Sequence, residues 1–97
     1  LAGFVKHAFS FAFYHLKRKD SYEDALTQTL ERGGDTDTNA CIVGGLIGTL
    51  HGVDKIPQEM LVKLMTCSTR KGQPRPDEFT IKMVLPSLRK LNSVILN

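Results

Sequence analysis

Asn39-Ala40-Cys41-Ile42-Val43-Gly44-Gly45-Leu46-Ile47-Gly48-Thr49-Leu50-His51 decides the fold. Seven of these thirteen residues are apolar and lie on nearly all sides of a helix, while three are glycines. Each glycine costs an exposed helix about 1 kcal/mol against alanine. Close approach of another helix to the glycine-lined face offsets that cost, so this helix is expected at the centre of a bundle, closed by Gly52. Upstream, Leu1, Phe4, Val5, Ala8, Phe11, Ala12 and Leu16 recur at helical spacing, and Phe9 and Phe13 add a second stripe. That helix asks to be covered on more than one face, which 97 residues cannot do for it and for the glycine-rich helix together, so apolar patches are expected to remain for a second polypeptide or a symmetry copy to cover. Lys17, Arg18 and Lys19 lie at the negative end of its dipole. Ser21 reads as an N-cap followed by the acids Glu23 and Asp24, and Gly33 and Gly34 stop the second helix. Its inward side is Tyr22, Ala25, Leu26, Thr29 and Leu30. Downstream, Ile56-Pro57 starts a helix with Met60, Leu61, Leu64 and Met65 as a buried stripe. Residues 68 to 76 form a polar loop. Phe79, Ile81 and Met83 alternate like a strand, and a further helix is expected only after Pro86. The fold class is all-α, a helical bundle.

The chain has 97 residues, 41% hydrophobic and 24% charged, which suits one modest folded unit over residues 1–97 and excludes a multidomain enzyme within it. It begins at Leu1, not at a methionine, and directly in an apolar helical pattern, so it is expected to be a fragment of a longer protein. The net charge of +3 is uneven. Residues 20 to 62 carry eight acids and two bases, whereas the segments on either side are basic. The basic residues from Arg70 to Lys90 have only Phe79 among them, too few aromatics for single strands, and no nucleic-acid partner is expected. Cys41 and Cys67 lie in apolar helical surroundings and read as small hydrophobes in a reducing compartment, which points to the cytoplasm. The longest uncharged stretch, residues 38 to 53, falls short of the roughly 20 apolar residues of a membrane span. No membrane partner is expected.

Gly33-Gly34-Asp35-Thr36-Asp37-Thr38-Asn39-Ala40 is the one stretch that asks for a chemical explanation. Two carboxylates and a hydroxyl on a glycine turn are oxygen ligands of the kind hard cations take. An Asp or Thr ahead of an apolar helix is an ordinary N-cap, and spacing alone favours the cap over the metal. If the pair converges on one region, mutual repulsion should raise the proton affinity of one member. The calcium-loop pattern fails at Ala40, where glycine is needed, and at Leu46, where glutamate is needed. A phosphatase-type aspartate motif fails because a helix end, not an apolar strand, precedes Asp35.

That string, with Ser21-Tyr22-Glu23-Asp24-Ala25-Leu26 before it and Gly44-Gly45-Leu46-Ile47-Gly48, Gly52 and Ile56-Pro57 after it, closely resembles the C-terminal part of ADP-ribosylglycohydrolases. That family includes the dinitrogenase reductase-activating glycohydrolases. The resemblance runs from about Leu1 to Leu64. It implies an all-α hydrolase with two Mg2+ ions that releases ADP-ribose from a modified protein or related conjugate by cleaving the glycosidic bond. Asp35, Asp37 and Thr38 are the implied metal ligands, with Asp37 bridging the ions. Gly33 and Gly34 shape the turn, and these two with Thr36 are the candidates to border the substrate. The family's further ligands, a Gly-Asp segment and a Thr-Asp-Asp cluster, would precede Leu1, so the chain is expected to hold half of the site. The missing N-terminal part or a second chain would be its partner, and alone it would be inactive. The rival expectation is a non-catalytic relative of the same fold, as in lens crystallins; retention of both aspartates argues against it.

His7, His15 and His51 read as core or helix-end residues, and Met60, Met65 and Met83 as core filler. No serine has the context of a nucleophile.

Overall fold

A computed structural model describes residues 4–96. Among them are five α-helices and no strand, as the apolar periodicity predicts. The helices are α1 (Val5–Arg18), α2 (Tyr22–Glu31), α3 (Thr36–His51), α4 (Gln58–Thr66) and α5 (Ile81–Leu96), with single 3-10 turns at Val53–Lys55 and Asp77–Phe79. The chain, expected as one unit, divides into two, Leu1–Pro57 and Gln58–Asn97.

In the first unit α3 packs against both α1 and α2. Asn39, Val43 and Ile47 form its buried stripe at four-residue spacing, and α1 brings Ala12 against the two apolar members, its short side chain letting the helices approach. Ala12, Ala25, Val43 and Ile47 make the core, with Phe11, Leu16, Tyr22 and Leu46 packed around it. Tyr22 and Leu26 of α2 lie over Gly44, and Tyr22 also over Gly48. The glycine stripe therefore does admit a neighbour, but at two glycines only: a Cβ on Gly45 would meet nothing within 4 Å.

The first helix is not covered on the side of its second stripe. Phe9 and Phe13 stack on each other with centroids 4.5 Å apart and remain 60% and 48% exposed. The expected start of this helix at Leu1 lies outside the described residues. No glycine ends α1: Lys19 takes the left-handed conformation at φ 57°, and the N–H groups of Lys19 and Asp20 bond the carbonyls of Leu16 and His15. This is a Schellman turn with lysine at the position glycine usually holds. At the start of α2 the Ser21 hydroxyl accepts the Asp24 N–H, as the cap reading predicts.

In the second unit α4 packs on α5. No residue of α4 is buried, so the expected stripe is corrected: Met60, Leu64 and Met65 are exposed and Leu61 half-buried. A unit of this size with one partner helix has too little surface to enclose a core. The loop from Ser68 to Pro76 is pinned on Asp77, whose carboxylate accepts the buried Thr69 hydroxyl at 3.2 Å and pairs with Arg70 at 3.2 Å. The strand-like alternation before Pro86 is overturned, since Ile81 and Met83 lie in the first turn of α5 and Pro86 sits inside the helix. Pro86 is exposed, and its missing N–H costs the helix one bond, to the Lys82 carbonyl. Cys41 and Cys67 are exposed free thiols, not the buried small hydrophobes that their surroundings in sequence suggest. No described helix is long and apolar enough to cross a membrane.

Candidate functional site

The segment joining α2 to α3 carries the candidate residues. Arg32 ends α2 in helical conformation, and Gly33 and Gly34 then take φ 74° and 76°, values that side chains rarely adopt. Space does not require glycine here, because a Cβ at either position would meet nothing within 4 Å. The backbone conformation does. The Thr36 N–H closes the turn onto the Gly34 carbonyl at 2.9 Å, and α3 begins at Thr36, three residues earlier than the apolar pattern suggests. Polar residues suit that first turn because its N–H groups lack intrahelical acceptors and must be met by side chains or water, as the Thr38 N–H is by Asp37.

Asp35 flanks α3 but makes no side-chain cap bond. Asp37 lies in the first turn, where its Oδ1 accepts the Thr38 N–H at 3.0 Å. The Asp35 carboxyl lies within hydrogen-bonding reach of Asp37 and, with the backbone N–H groups of Thr38 and Asp37, holds the Asp37 carboxyl below its ordinary range. The repulsion argument expects one member's proton affinity to rise; the resolved shift is a depression at Asp37, where hydrogen bonds favour the ionised form. Asp37 and Thr38 are exposed, Asp35 half-buried. Among the described residues neither aspartate pairs with a basic side chain, and no three His, Cys, Asp or Glu side chains converge as a metal cage. The turn thus brings two carboxyl groups together beside a hydroxyl-bearing residue, with neither paired to a basic side chain among the described residues. Gly33 and Thr36 are half-buried and Gly34 exposed beside them.

A second polar cluster sits behind the turn, and the sequence reading did not assemble it. His15 is fully buried, and its Nδ1 lies 2.8 Å from Asp20 Oδ2 while its Nε2 lies 3.0 Å from Arg32 Nη1. A guanidinium only donates, so Nε2 is the acceptor, the ring proton is on Nδ1, and His15 is neutral. The bond from His15, with Arg18 nearby, holds the Asp20 carboxyl below its usual range against the opposing effect of burial. His51 at the end of α3 donates from Nε2 to the Asp20 carbonyl at 2.7 Å. Arg32 also stacks over Phe11 and Tyr14, its Cζ 4.5 and 5.1 Å from the ring centroids. The helix-end positions of His15 and His51 were legible; their convergence on Asp20 depends on how three helices pack.

Residues 1–84 match the family model described as ADP-ribosylglycohydrolase. The match passes Leu64, where the resemblance in sequence fades, and reaches the first turn of α5. Among curated relatives, the chain is 36% identical over 75 residues to a protein of Acanthamoeba polyphaga mimivirus named as an ADP-ribosyl glycohydrolase, covering 76% of this chain and 22% of the relative. It is 44% identical over 45 residues to the ADP-ribosyl-[dinitrogen reductase] glycohydrolase of Rhodospirillum rubrum, 46% of this chain and 15% of that protein. It is 42% identical over 41 residues to an ADP-ribosylhydrolase of Danio rerio, 42% of this chain and 11% of that one. The chain therefore spans less than a quarter of each of these relatives. No solved structure matches it.

Proposed function

Since the chain belongs to the ADP-ribosylglycohydrolase family, we propose that it contributes to a magnesium-dependent hydrolase that releases ADP-ribose from modified proteins or related conjugates, with Asp35, Asp37 and Thr38 as metal ligands. The observation that carries this reading is the pair of neighbouring carboxyl groups left without any basic partner. A capping role asks for oxygens turned toward the N–H groups of the following turn. Asp35 makes no such bond, and Asp37 reaches only the N–H of the next residue. Carboxyl groups beside a hydroxyl and without a basic partner suit a hard divalent ion, which takes oxygen ligands in a near-octahedral arrangement. When bound, such ions orient substrate oxygens and lower the pKa of water. The chain's own part is to hold the carboxyl groups together on a glycine turn at the start of α3, with Gly33, Gly34 and Thr36 bordering the substrate.

Three protein oxygens cannot complete two octahedral shells, so the activity is proposed for the complete catalytic domain, to which other ligands contribute. The non-catalytic alternative gives no reason for a carboxyl pair without a basic partner. In the complete protein, Asp37→Ala is expected to abolish magnesium binding in calorimetric titration and ADP-ribose release from an ADP-ribosylated protein, with helical content nearly unchanged. Unaltered metal affinity and turnover in that variant would make the turn structural and sink the proposal.

A further inference from the structure

The two glycines that shape the ligand turn also make it loose. Gly33 and Gly34 have no side chains to pack, and ordering such residues costs more conformational entropy than ordering any others. Something must fix the chain on the α2 side if Asp35 is to stay beside Asp37. The residue before the glycines is Arg32, and its guanidinium is held at three points by α1: over the Phe11 ring, over the Tyr14 ring and by the Nε2 of His15. His15 is itself fixed, since it is fully buried and its Nδ1–H is committed to Asp20. Asp20 is in turn tied to α3 through His51.

We infer that His15 and Arg32 are positioning residues for the metal-binding turn: His15 acts as a neutral hydrogen-bond acceptor that locks Arg32, and Arg32 anchors the near end of the Gly33-Gly34 segment so that Asp35 is held next to Asp37. The inference rests on the reading of Asp35 and Asp37 as metal ligands. It goes beyond that reading by assigning ligand geometry to a cluster that touches neither aspartate. The charge state matters. A doubly protonated ring would present a second donor to a guanidinium that can only donate, so the Asp20 bond, by occupying Nδ1–H, keeps the free lone pair on the side of Arg32. The stacking explains why the anchor is arginine: a lysine ammonium cannot lie flat between two rings while donating to a third.

The test is Mn2+ affinity of the complete protein, measured by calorimetry and by the electron paramagnetic resonance of free ion, together with its melting midpoint. Arg32→Gln alters an exposed side chain and keeps an amide donor in the cluster, but it gives up both ring contacts, so a modest fall in the melting midpoint is expected. It should bind Mn2+ roughly tenfold more weakly, the low end of the range for groups that support ligands from behind. His15→Phe keeps the ring volume without the acceptor and should match Arg32→Gln in affinity. His15→Gln, whose amide can donate to Asp20 and accept from Arg32, should restore binding. A purely structural role would make affinity follow the melting midpoint across the three variants instead of following the acceptor. Parent-like affinity in Arg32→Gln, with binding lost in Asp37→Ala, overturns the positioning role and leaves the metal site standing. Parent-like affinity in Asp37→Ala overturns both.

Discussion

Gly44 and Gly45 are neighbours in α3, yet the packing predicts different responses to substitution. Replacing a helical glycine with alanine gains about 0.5–1 kcal/mol from the lower backbone entropy of the unfolded chain. At Gly45 a Cβ would meet nothing within 4 Å, so Gly45→Ala should realise the whole gain. At Gly44 the new carbon would lie 3.2 Å from Leu26 Cδ2 and 3.3 Å from Tyr22 Oη. The leucine methyl can move aside, but Tyr22 also rests on Gly48 and on the core, so the displacement should consume the gain and leave Gly44→Ala near neutral. Gly44→Val adds two more carbons into the same contact and should cost about 1–3 kcal/mol as overpacking. Far-UV circular dichroism during thermal unfolding of the 97-residue chain would separate the three. A change of 1 kcal/mol moves the midpoint of a domain this small by about 4–8 °C. The order should be Gly45→Ala above parent, Gly44→Ala close to parent, Gly44→Val below it. Loss of stability in Gly45→Ala comparable to that in Gly44→Val would refute the assignment of α2 to the Gly44 and Gly48 side of α3.

Lys19→Gly should stabilise the first unit by about 1 kcal/mol, because a β-carbon in the left-handed region carries that cost and glycine does not; an unchanged or lower midpoint would contradict the Schellman geometry. Ser21→Ala removes the acceptor of the Asp24 N–H and should cost about 1 kcal/mol in urea unfolding. The Asp20 carboxyl is depressed below 3.8, first by the bond from His15, so its contribution to stability is present above that ordinary value and lost as the pH falls through the folded one. Asp20→Asn should therefore be less stable than the parent at neutral pH and flatten its acid unfolding below about pH 4, a difference readable by titrating helical content; coincident acid limbs would remove Asp20 from the network.

Much of this protein was determined locally and could be read as such. Apolar spacing, the Ser21 cap and the Gly33-Gly34 stop define the first three helices, because periodicity, capping and positive φ act within a few residues of chain. The Asp35-Thr36-Asp37-Thr38 turn was legible as chemistry for the same reason: its carboxylates lie two residues apart on a glycine turn. The continuity of α5 through Pro86 was not legible, since one lost bond at an exposed position weighs little once the flanking turns are helical. Neither was the exposure of the α4 methionines, which depends on which partner surfaces exist and not on apolarity; that of Phe9 and Phe13 was, because so short a chain cannot cover every apolar face of its first helix. The division of labour between Gly44, which receives a neighbour, and Gly45, which does not, is a matter of helix rotation. The cluster of His15, Asp20, Arg32 and His51 joins residues up to 36 positions apart. No spacing rule links them, and only the packing of α1 and α2 on α3 brings the arginine, the two histidines and the aspartate within hydrogen-bonding distance.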